Sequence, residues 1–450
     1  MTIGKHIRNI VIVLIIALAG VYWYLSTPDK ARIDEKRLTG IVPDLQTPRR
    51  ENFPTINIAK VIGWVAGAKP VAAPGLQVGA YADGLDHPRW LTLLSNGDVL
   101  VAQSSAPARP VSGVQDWIAR KLITQAGGNS GSPDQIILLR DANGDGVAET
   151  KTVLLAGLHS PFGMAVKGDT LYVANTNAVL AFPFKTGETK ITAKGEKLFD
   201  LPEGVPNNHW ARNLILDPSG DSLYVTIGSN SNIGENGMAS EKDRAQIKQY
   251  DFAKKSLITY AYGLRNPNGL AFNPISKTLW TVVNERDMLG SDGPPDYLST
   301  VDFGQFYGWP FTYWGGIEDQ RVEQVRPDLK QYTKRPNYAL GPHVAALGLA
   351  FASGPTLGAN YANGAFIGLH GSWNRSPASG YKVIYVPFNE RGYPENKKPV
   401  DVLTGFLTPD GNAQGRPVGV IFDKTGALLV ADDAGNKVWR VSAAAKTALR

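Results

Sequence analysis

One short pattern occurs six times along the chain, and it constrains the fold more than any other feature of the sequence. Each copy has a polar turn, an apolar strand, a second turn and another apolar strand of the type LYV. The copies are LDHPRWLTLLSNGDVLVAQ, LHSPFGMAVKGDTLYVAN, NNHWARNLILDPSGDSLYVTIGS, LRNPNGLAFNPISKTLWTVVNE, PHVAALGLAFASG followed by NGAFIGLHG, and GRPVGVIFDKTGALLVADD. Such recurrence indicates a modular architecture in which each unit packs against its neighbours.

The spacing of the copies indicates the size of each unit. Alignment on the first apolar strand makes six residues equivalent: Arg89, Phe162, Arg212, Asn268, Leu347 and Val418. The intervals leave room for four strands, and radial repetition of four-stranded sheets limits the exposed edges of a large all-β chain. The sequence therefore predicts an all-β, six-bladed β-propeller over residues 76–445. We expect an early strand within Leu76–Leu85 to close the last blade, after NKVWRVS.

The N-terminus has the composition of an export signal. Lys5 and Arg8 precede an unbroken apolar run from Ile10 to Leu25, which as a helix spans about 24 Å. We favour an uncleaved anchor, and cleavage after Ala17-Leu18-Ala19 is the alternative. Residues 1–28 are therefore predicted to be a signal anchor or signal peptide, and residues 29–75 a linker. The propeller is expected in the periplasm, tethered to the inner membrane by an uncleaved N-terminal helix.

Composition excludes several classes of site. The chain has no cysteine, so thiolate zinc sites, disulfides and cysteine nucleophiles are impossible and any metal must use oxygen or histidine. The net charge of +6 is modest, and the basic residues are scattered rather than clustered into a stripe. We therefore expect no nucleic-acid partner.

In a propeller, the loops that enter the innermost strands lie together at one end of the central channel. Three places before the aligned position in each copy stand Asp86, His159, His209, Arg265, Val344 and Gly415, with His343 and Arg416 next to the last two. The convergence predicts a pocket for a polyanionic ligand beside a titratable base. The alternatives are local: a turn at Arg265 that bonds neighbouring carbonyls, and a capping role for His209.

Several of these segments resemble a known family. LRNPNGLAFNP, NNHWARNLILDPSGDSLYVTIGSNSN, NERDMLGSDGPPDYL, FYGWP, GSWNRSPASGYKVIYVPF and GRPVGVIFDKTGALLVADDAGN resemble the soluble-type sugar dehydrogenases that depend on pyrroloquinoline quinone (PQQ). The similarity is greatest to the L-sorbosone dehydrogenase branch, and it covers roughly Leu76 to the C-terminus. It implies a six-bladed propeller whose top face binds PQQ, a tricarboxylate ortho-quinone, together with Ca²⁺.

The resemblance also implies roles for individual residues. His209 matches the catalytic histidine. From the repeat alignment rather than the resemblance, His159 and His343 are expected on the substrate side. The implied cofactor contacts are Arg265, Asn266, Asn268, Arg375 and Arg416. Asn208 stands where glucose-oxidising relatives have an aspartate, so the substrate is left open.

Two segments are candidates for Ca²⁺. The resemblance implies that the backbone carbonyls of Gly293 and Pro294 bind the ion beside the cofactor. The second segment, DANGDGVAE, offers Asp141, Asn143 and Asp145 at the spacing of a calcium loop. An acidic hairpin turn explains the same sequence equally well.

The function implied by the resemblance is oxidation of an aldose, a sugar aldehyde or a sorbosone-like compound. Hydride would pass to PQQ, and electrons would then pass to a membrane quinone or a cytochrome. The alternative is a non-catalytic propeller that binds a carbohydrate or protein partner at the same end. A calcium-dependent hydrolase such as a lactonase is a third possibility, but it would need several carboxylates at the channel, where this ring offers mainly cations and amides.

Overall fold

The computed structural model describes residues 3–445, except 27, 52, 109–112, 114–120, 122–123, 126, 128–130, 205 and 324–325. The regular structure of this part is mostly β. The helix α1 covers Ile3–Ser26, and a four-residue helix covers Pro327–Lys330. Short 3-10 helices lie at Glu35–Leu38, Met238–Glu241 and Ala359–Tyr361.

The strands are short, as the Gly- and Pro-rich sequence predicts. In chain order they are β1 (Thr39–Gly40), β2 (Val71–Ala72), β3 (Leu76–Ala82), β4 (Pro88–Leu93), β5 (Val99–Gln103), β6 (Gln135–Arg140), β7 (Thr150–Leu155), β8 (Met164–Lys167), β9 (Thr170–Ala174), β10 (Ala178–Pro183), β11 (Glu196–Asp200), β12 (Leu214–Leu216), β13 (Ser222–Ile227), β14 (Gln246–Asp251), β15 (Ser256–Tyr262), β16 (Asn266–Phe272), β17 (Leu279–Asn284), β18 (Pro295–Thr300), β19 (Thr312–Tyr313), β20 (Ile317–Glu318), β21 (Tyr338–Pro342), β22 (Ala346–Phe351), β23 (Gly364–Leu369), β24 (Lys382–Pro387), β25 (Val400–Thr404), β26 (Pro417–Phe422), β27 (Leu428–Asp432) and β28 (Lys437–Ala443).

Six antiparallel sheets form the blades. Their strand orders are β4-β5-β6-β7, β8-β9-β10-β11, β12-β13-β14-β15, β16-β17-β18-β21-β1, β22-β23-β24-β25-β2 and β26-β27-β28-β3. We number the blades 1 to 6 in this order. The hairpin β19-β20 is inserted in blade 4. The first strand of each blade contacts the first strand of the next, and β26 contacts β4 to close the ring. The prediction of a six-bladed propeller is confirmed.

Glycine recurs in the repeats because neighbouring inner strands approach closely. A Cβ added to Gly348 in β22 would lie 2.2 Å from the carbonyl oxygen of Val418 in the next blade. At Gly163, just before β8, it would lie 2.2 Å from the backbone nitrogen of Leu214. A side chain at either position would push adjacent blades apart.

The last blade combines both ends of the propeller chain. The strand β3 pairs antiparallel with β28, with Val78 opposite Val441. This confirms the prediction that the early strand closes the blade. Closure of this kind leaves the ring without an open gap between its first and last units.

Residues 28–75, which we call the N-terminal arm, lie against the propeller. β1 extends blade 4 by pairing with β21, and β2 extends blade 5 by pairing with β25. Trp64 packs against Trp439 and Phe406, with ring centroids 5.3 and 5.6 Å away. The division of the chain at residues 28 and 75 stays a prediction. The structure adds that the segment interpreted as a linker has many contacts with blades 4, 5 and 6.

The helix α1 has the length and composition of a membrane span. Its 24 residues extend about 36 Å. Between Lys5 and Trp23 it is apolar enough to cross a bilayer, and none of that stretch is buried against the propeller. An exposed apolar helix of this length is typical of a membrane anchor or a signal sequence.

Strand direction fixes which loops meet at the channel entrance. The first strand of each blade starts at one end of the channel, which we call the mouth. Because neighbouring strands are antiparallel, the second strand ends at the mouth and the third begins there. Two sets of loops therefore surround the mouth: those before the first strands and those between the second and third. The turns between third and fourth strands lie at the opposite end.

Candidate active site

His209 lies at the mouth, in the loop before β12. Its Nδ1 is 2.7 Å from the carbonyl oxygen of Ser229, so Nδ1 must carry the proton and donate it. In the neutral ring Nε2 is then an acceptor, and no hydrogen bond to it occurs among the described residues. Burial, helped by the Arg265 charge, lowers the pKa of His209 to about 3. The ring is therefore neutral at pH 7, with a free lone pair.

Arg265 is buried beside His209, and every N–H of its guanidinium donates a hydrogen bond to an acceptor within the protein. Nε donates to the Asn232 carbonyl, Nη1 to the carbonyls of Glu285 and Asn284, and Nη2 to the Asn232 side chain and to Asp287. The Arg265–Asp287 ion pair is 2.9 Å long. The side chain of Arg265 thus has no donor left for a ligand in this arrangement, although its charge still acts on the mouth.

Asp287 is the centre of this first cluster. Burial disfavours its charge, but Arg265 and His343 outweigh burial and hold the pKa of Asp287 well below its usual value. His343 donates from Nε2 to the Gly290 carbonyl at 3.0 Å and places Nδ1 3.7 Å from Asp287. Burial lowers the pKa of His343, but Asp287 more than compensates and raises it. Asn374 also donates to Asp287, at 2.8 Å.

A second cluster surrounds Asp433, just after β27. Arg89 forms an ion pair with its carboxylate, His370 Nε2 lies 2.9 Å away and Arg416 Nε 3.3 Å away. His87 Nε2 is 3.6 Å away. Burial opposes the charge of Asp433, but the surrounding cations keep its pKa well below the usual value. Burial lowers the pKa of His87 to about 3 and that of His370 to about 4.

The two clusters face the same mouth. The guanidinium of Arg89 lies 5.7 Å from the ring centroid of Trp210, the residue after His209. The backbone N–H of His370 donates to the Ala345 carbonyl, two residues after His343. Side chains from blades 1, 3, 4, 5 and 6 therefore contribute to one charged surface at the channel entrance.

Some of the other predicted site residues lie near His209, and some do not. Asn266 donates to the Asn284 side chain at 3.2 Å, and it packs with His209 over Gly228, where a Cβ would lie 2.5 Å from both. Arg375 donates to the carbonyls of Ser291 and Pro377. His159 pairs with Glu203 at 2.7 Å, and its side chain is 44% exposed. The structure therefore brings His209, Arg265, Asn266 and His343 together, while His159 forms a separate, exposed pair.

Five charged or titratable residues of the mouth were missing from the sequence-based set. They are His87, Arg89, Asp287, His370 and Asp433. Asp287, His370 and Asp433 come soon after second strands, whereas the repeat alignment covered only the loops that enter first strands. The signal was present, because in an antiparallel blade the end of the second strand lies beside the start of the first.

Comparison with known families decides the relationship of the chain. The family model described as TrAA12-like matches residues 130–296 and 323–444, together more than half of the chain. The chain belongs to the TrAA12-like family.

Curated proteins that are similar to this chain have names that state an enzyme activity. The Escherichia coli (strain K12) protein named aldose sugar dehydrogenase YliI is 26% identical over 309 residues, which covers 62% of this chain and 74% of that protein. The Hypocrea jecorina (strain QM6a) protein named pyrroloquinoline quinone-dependent sugar dehydrogenase is 24% identical over 425 residues, which covers 82% of this chain and 88% of that protein.

Solved structures share the fold. The calcium structure of a Trichoderma reesei protein of Carbohydrate-Active Enzymes Family AA12 has a TM-score of 0.67 and 20% identity, and the match covers 87% of this chain and 99% of that one. The holo form of the pyranose dehydrogenase PQQ domain from Coprinopsis cinerea has a TM-score of 0.66 and 20% identity, with 86% and 100% coverage. At this identity the likeness establishes the propeller fold alone.

The mouth of this TrAA12-like chain has unused hydrogen-bonding groups that fit a carboxylated ligand. Arg416 is only 8% exposed, yet among the described residues its Nη1 and Nη2 have no hydrogen-bond partner. The buried Nε of Arg89 also lacks a partner there, and so does Oδ1 of Asn268, although that oxygen is an acceptor and would meet an N–H or O–H group of a ligand rather than a carboxylate. Guanidinium groups match the two oxygens of a carboxylate. The residues present therefore fit a small polycarboxylate such as PQQ.

The two candidate calcium segments lie at opposite ends of the propeller. Gly293 and Pro294 are at the mouth, between β17 and β18, where they line a cleft with arm residues 45–49. The DANGDG turn joins β6 to β7, at the far end. There Asp141, Asp145 and Glu149 place one oxygen each within 4.8 Å of one another, the one such group of His, Asp and Glu in the described residues. Asp141 and Glu149 also accept backbone N–H groups of the turn.

Proposed function

We propose that this chain is a PQQ-dependent dehydrogenase that oxidises a sugar or a sugar aldehyde at the propeller mouth. The observation that carries the proposal is His209: a neutral imidazole with a fixed tautomer and a free Nε2, placed between two clusters of buried cations and carboxylates. The names of the Escherichia coli and Hypocrea jecorina relatives support the substrate class and the cofactor.

The residues of the chain would act as follows. His209 Nε2 accepts the proton of the substrate hydroxyl, while the Nδ1–H···O=C bond to Ser229 holds the ring in position. Arg416, with its free Nη groups, binds a carboxylate of the cofactor, and Asn268 would contact the cofactor through its side-chain amide. Arg265, paired with Asp287, orders the mouth, and burial together with the Arg265 charge keeps the imidazole neutral. PQQ supplies the hydride acceptor when bound, and Ca²⁺ would polarise the accepting carbonyl.

Finer assignments belong to the same proposal. The segments in common with L-sorbosone dehydrogenases favour a sorbosone-like aldehyde within the sugar class. We assign the catalytic Ca²⁺ to the carbonyls of Gly293 and Pro294, and a substrate-side position to His159 and His343. The DANGDG turn, if it binds Ca²⁺, would have a structural role only, because it is at the opposite end from His209.

The helix α1 supports a proposal for the location of the enzyme. We propose that α1 remains attached and anchors the propeller on the periplasmic side of the inner membrane. Electrons would then leave the mouth to a membrane quinone or to a cytochrome. The exposure of the apolar helix supports an anchor, since none of Lys5–Trp23 is buried against the rest of the protein.

Reduction of a redox dye tests the proposal. The detergent-solubilised full chain, incubated with PQQ and CaCl₂, should reduce the dye with aldoses or sugar aldehydes. His209→Ala should abolish most of this activity. The alternative, a non-catalytic propeller, predicts carbohydrate binding with no dye reduction on any substrate and no retention of PQQ. That pair of results would overturn the proposal.

A further inference from the structure

We propose that the mouth of the propeller faces the lipid bilayer, held there by the N-terminal arm. The inference rests on the anchor in the proposed function, and it adds the orientation of the site. Two independent features carry it: the attachment of the arm to the mouth immediately after α1, and a row of exposed apolar side chains on the same surface.

The arm is fixed to a mouth loop within a few residues of the helix. The carboxylate of Asp29 accepts from the backbone of Ser291 at 2.7 Å, and its carbonyl accepts from the Ser291 hydroxyl at 3.0 Å. Ser291 lies between β17 and β18, at the mouth. Only three Cα–Cα steps of about 3.8 Å separate Asp29 from Ser26, so the helix end is at most about 11 Å from Asp29.

Further bonds make this attachment rigid. The carboxylate of Asp292 accepts the backbone N–H groups of Arg32 and Ile33. Arg49 bridges Asp29 and Asp292 at 2.8 and 3.0 Å, and all three side chains are largely shielded from solvent. A shielded, multiply bonded pair of this kind holds its geometry better than an exposed one. The arm therefore fixes the point from which the chain leaves the propeller toward the helix.

The same loop is joined to the site. The carbonyl of Ser291 accepts from Arg375 Nε at 2.8 Å. Asn374, the preceding residue, donates to Asp287 in the first cluster. The helix exit and the candidate active site are therefore connected by a short series of hydrogen bonds.

Apolar side chains are exposed along the arm and the adjacent loop. Phe53, Ile56, Ile62, Val65 and Trp373 are between 43% and 68% exposed. The backbone of the arm follows the mouth loops, since Asn57 N donates to the Trp373 carbonyl and Ile62 N to the Ala413 carbonyl. The Phe53 ring also contacts Tyr22 of α1, with centroids 6.4 Å apart.

The occupant that fits this surface is the lipid headgroup region. An exposed apolar row that continues from a membrane helix would lie at the interface, where tryptophan is favoured. With the mouth against the bilayer, a lipid-soluble electron acceptor would reach the site without crossing bulk water. Polar substrate would enter from the side.

Lipid quenching of single labelled cysteines tests the orientation. Because the chain has no cysteine, Ile56→Cys and Trp373→Cys can each carry one environment-sensitive fluorophore at the mouth. Lys254→Cys is the matched control, since its side chain is 77% exposed in the β14–β15 turn at the opposite end. The full chain is placed in vesicles of phosphatidylethanolamine and phosphatidylglycerol, with and without lipids spin-labelled near the headgroup.

We expect the fluorophores at residues 56 and 373 to lose most of their emission when spin-labelled lipid is present, and the one at residue 254 to keep it. Equal emission at all three positions, or loss at residue 254 alone, would overturn the orientation. The readout needs neither PQQ nor turnover. Failure of the orientation is therefore distinguishable from failure of the proposed dehydrogenase activity, which is measured by dye reduction.

Discussion

His209 and His159 occupy equivalent places in the repeat, but their surroundings differ. His209 is held by the Ser229 carbonyl beside buried Arg265, whereas His159 is exposed and paired with Glu203. We expect His209→Ala to lower kcat by about 10²- to 10⁴-fold, the usual contribution of a positioned base, with PQQ binding retained. His159→Ala should change KM more than kcat. Steady-state kinetics with a saturating dye will measure both variants. If only His159→Ala loses kcat, the assignment of His209 as the base is wrong.

The pKa of His209 gives a second prediction at this scale. A base must be unprotonated to act, and burial lowers the pKa of this ring from 6.5 to about 3. The active form should therefore persist as pH falls, and the acid limb of kcat/KM should lie nearer pH 3–4 than 6.5. The pH profile of the PQQ-loaded enzyme measures this, with circular dichroism at each pH as the control for unfolding. An acid limb centred near pH 6.5 would contradict the assignment.

Alanine substitutions of Arg416 and Arg265 should have different effects, one on PQQ binding and the other on stability. Arg416 has free Nη groups, so Arg416→Ala should weaken PQQ binding by about 1.5–3 kcal/mol with little effect on stability. Arg265 uses all its donors within the protein, so Arg265→Ala removes the nearest cation from buried Asp287, which keeps only His343 and Asn374, and should destabilise the fold by about 3–5 kcal/mol. PQQ titration and urea unfolding distinguish these effects. Equal PQQ affinities in wild type and Arg416→Ala would remove Arg416 from the site.

The site residues that the sequence predicted and those that it missed lie at different positions in the blades. His209, Arg265 and Arg416 precede first strands, where the repeat alignment gives a register. Asp287 and Asp433 follow second strands, and nothing in their local sequence indicates that each pairs with an arginine from another part of the chain. Arg89, for example, pairs with Asp433 across the junction of blades 1 and 6. Such pairs depend on ring closure, which the periodicity of single strands does not encode.

At the scale of elements, the N-terminal arm should contribute to stability. Trp64 donates from Nε1 to buried Asp432 at 2.7 Å and packs against Trp439. Trp64→Ala should lower the free energy of unfolding by about 2–4 kcal/mol, and Trp64→Phe by about 1 kcal/mol, because Phe keeps much of the packing and loses the hydrogen bond.

Val65→Ala is the matched control, since Val65 is 68% exposed and should have little effect. Chemical denaturation of the full chain in detergent measures all three variants. An unchanged midpoint for Trp64→Ala would mean that the arm rests on the propeller without stabilising it, as a simple linker would.

Elements differed in how well the sequence predicted them. The six inner hairpins were recognisable because apolar strands alternate with Gly-, Pro- and Asp-rich turns. The strand β3 was found because its sequence has the apolar pattern of a strand, and because the last blade needs a fourth strand beside β28. By contrast, β1 and β2 have two residues each, too few to show a period of two, and they exist only because blades 4 and 5 offer free edges.

At the scale of the whole molecule, ring closure is what creates the site. The mouth combines side chains from Arg89 to Asp433, and no single blade supplies more than part of either cluster. The pairing of β3 with β28 fixes blade 6 against blade 1, and thereby places Arg89 beside Asp433. The proposed substrate chemistry, electron transfer and membrane orientation all depend on this one closed end.

The central claim is that the closed mouth binds PQQ for dehydrogenation, and cofactor titration tests it most directly. The purified full chain in detergent, with CaCl₂ present, would be titrated with PQQ while absorbance and protein fluorescence are followed, and then mixed without oxygen with an aldose or sugar aldehyde. We expect one tightly bound PQQ per chain, weaker binding in Arg416→Ala, and a substrate-dependent loss of the oxidised cofactor spectrum that His209→Ala slows. A folded chain that binds no PQQ, or holds it without any spectral response to these substrates, would contradict the proposed dehydrogenase function.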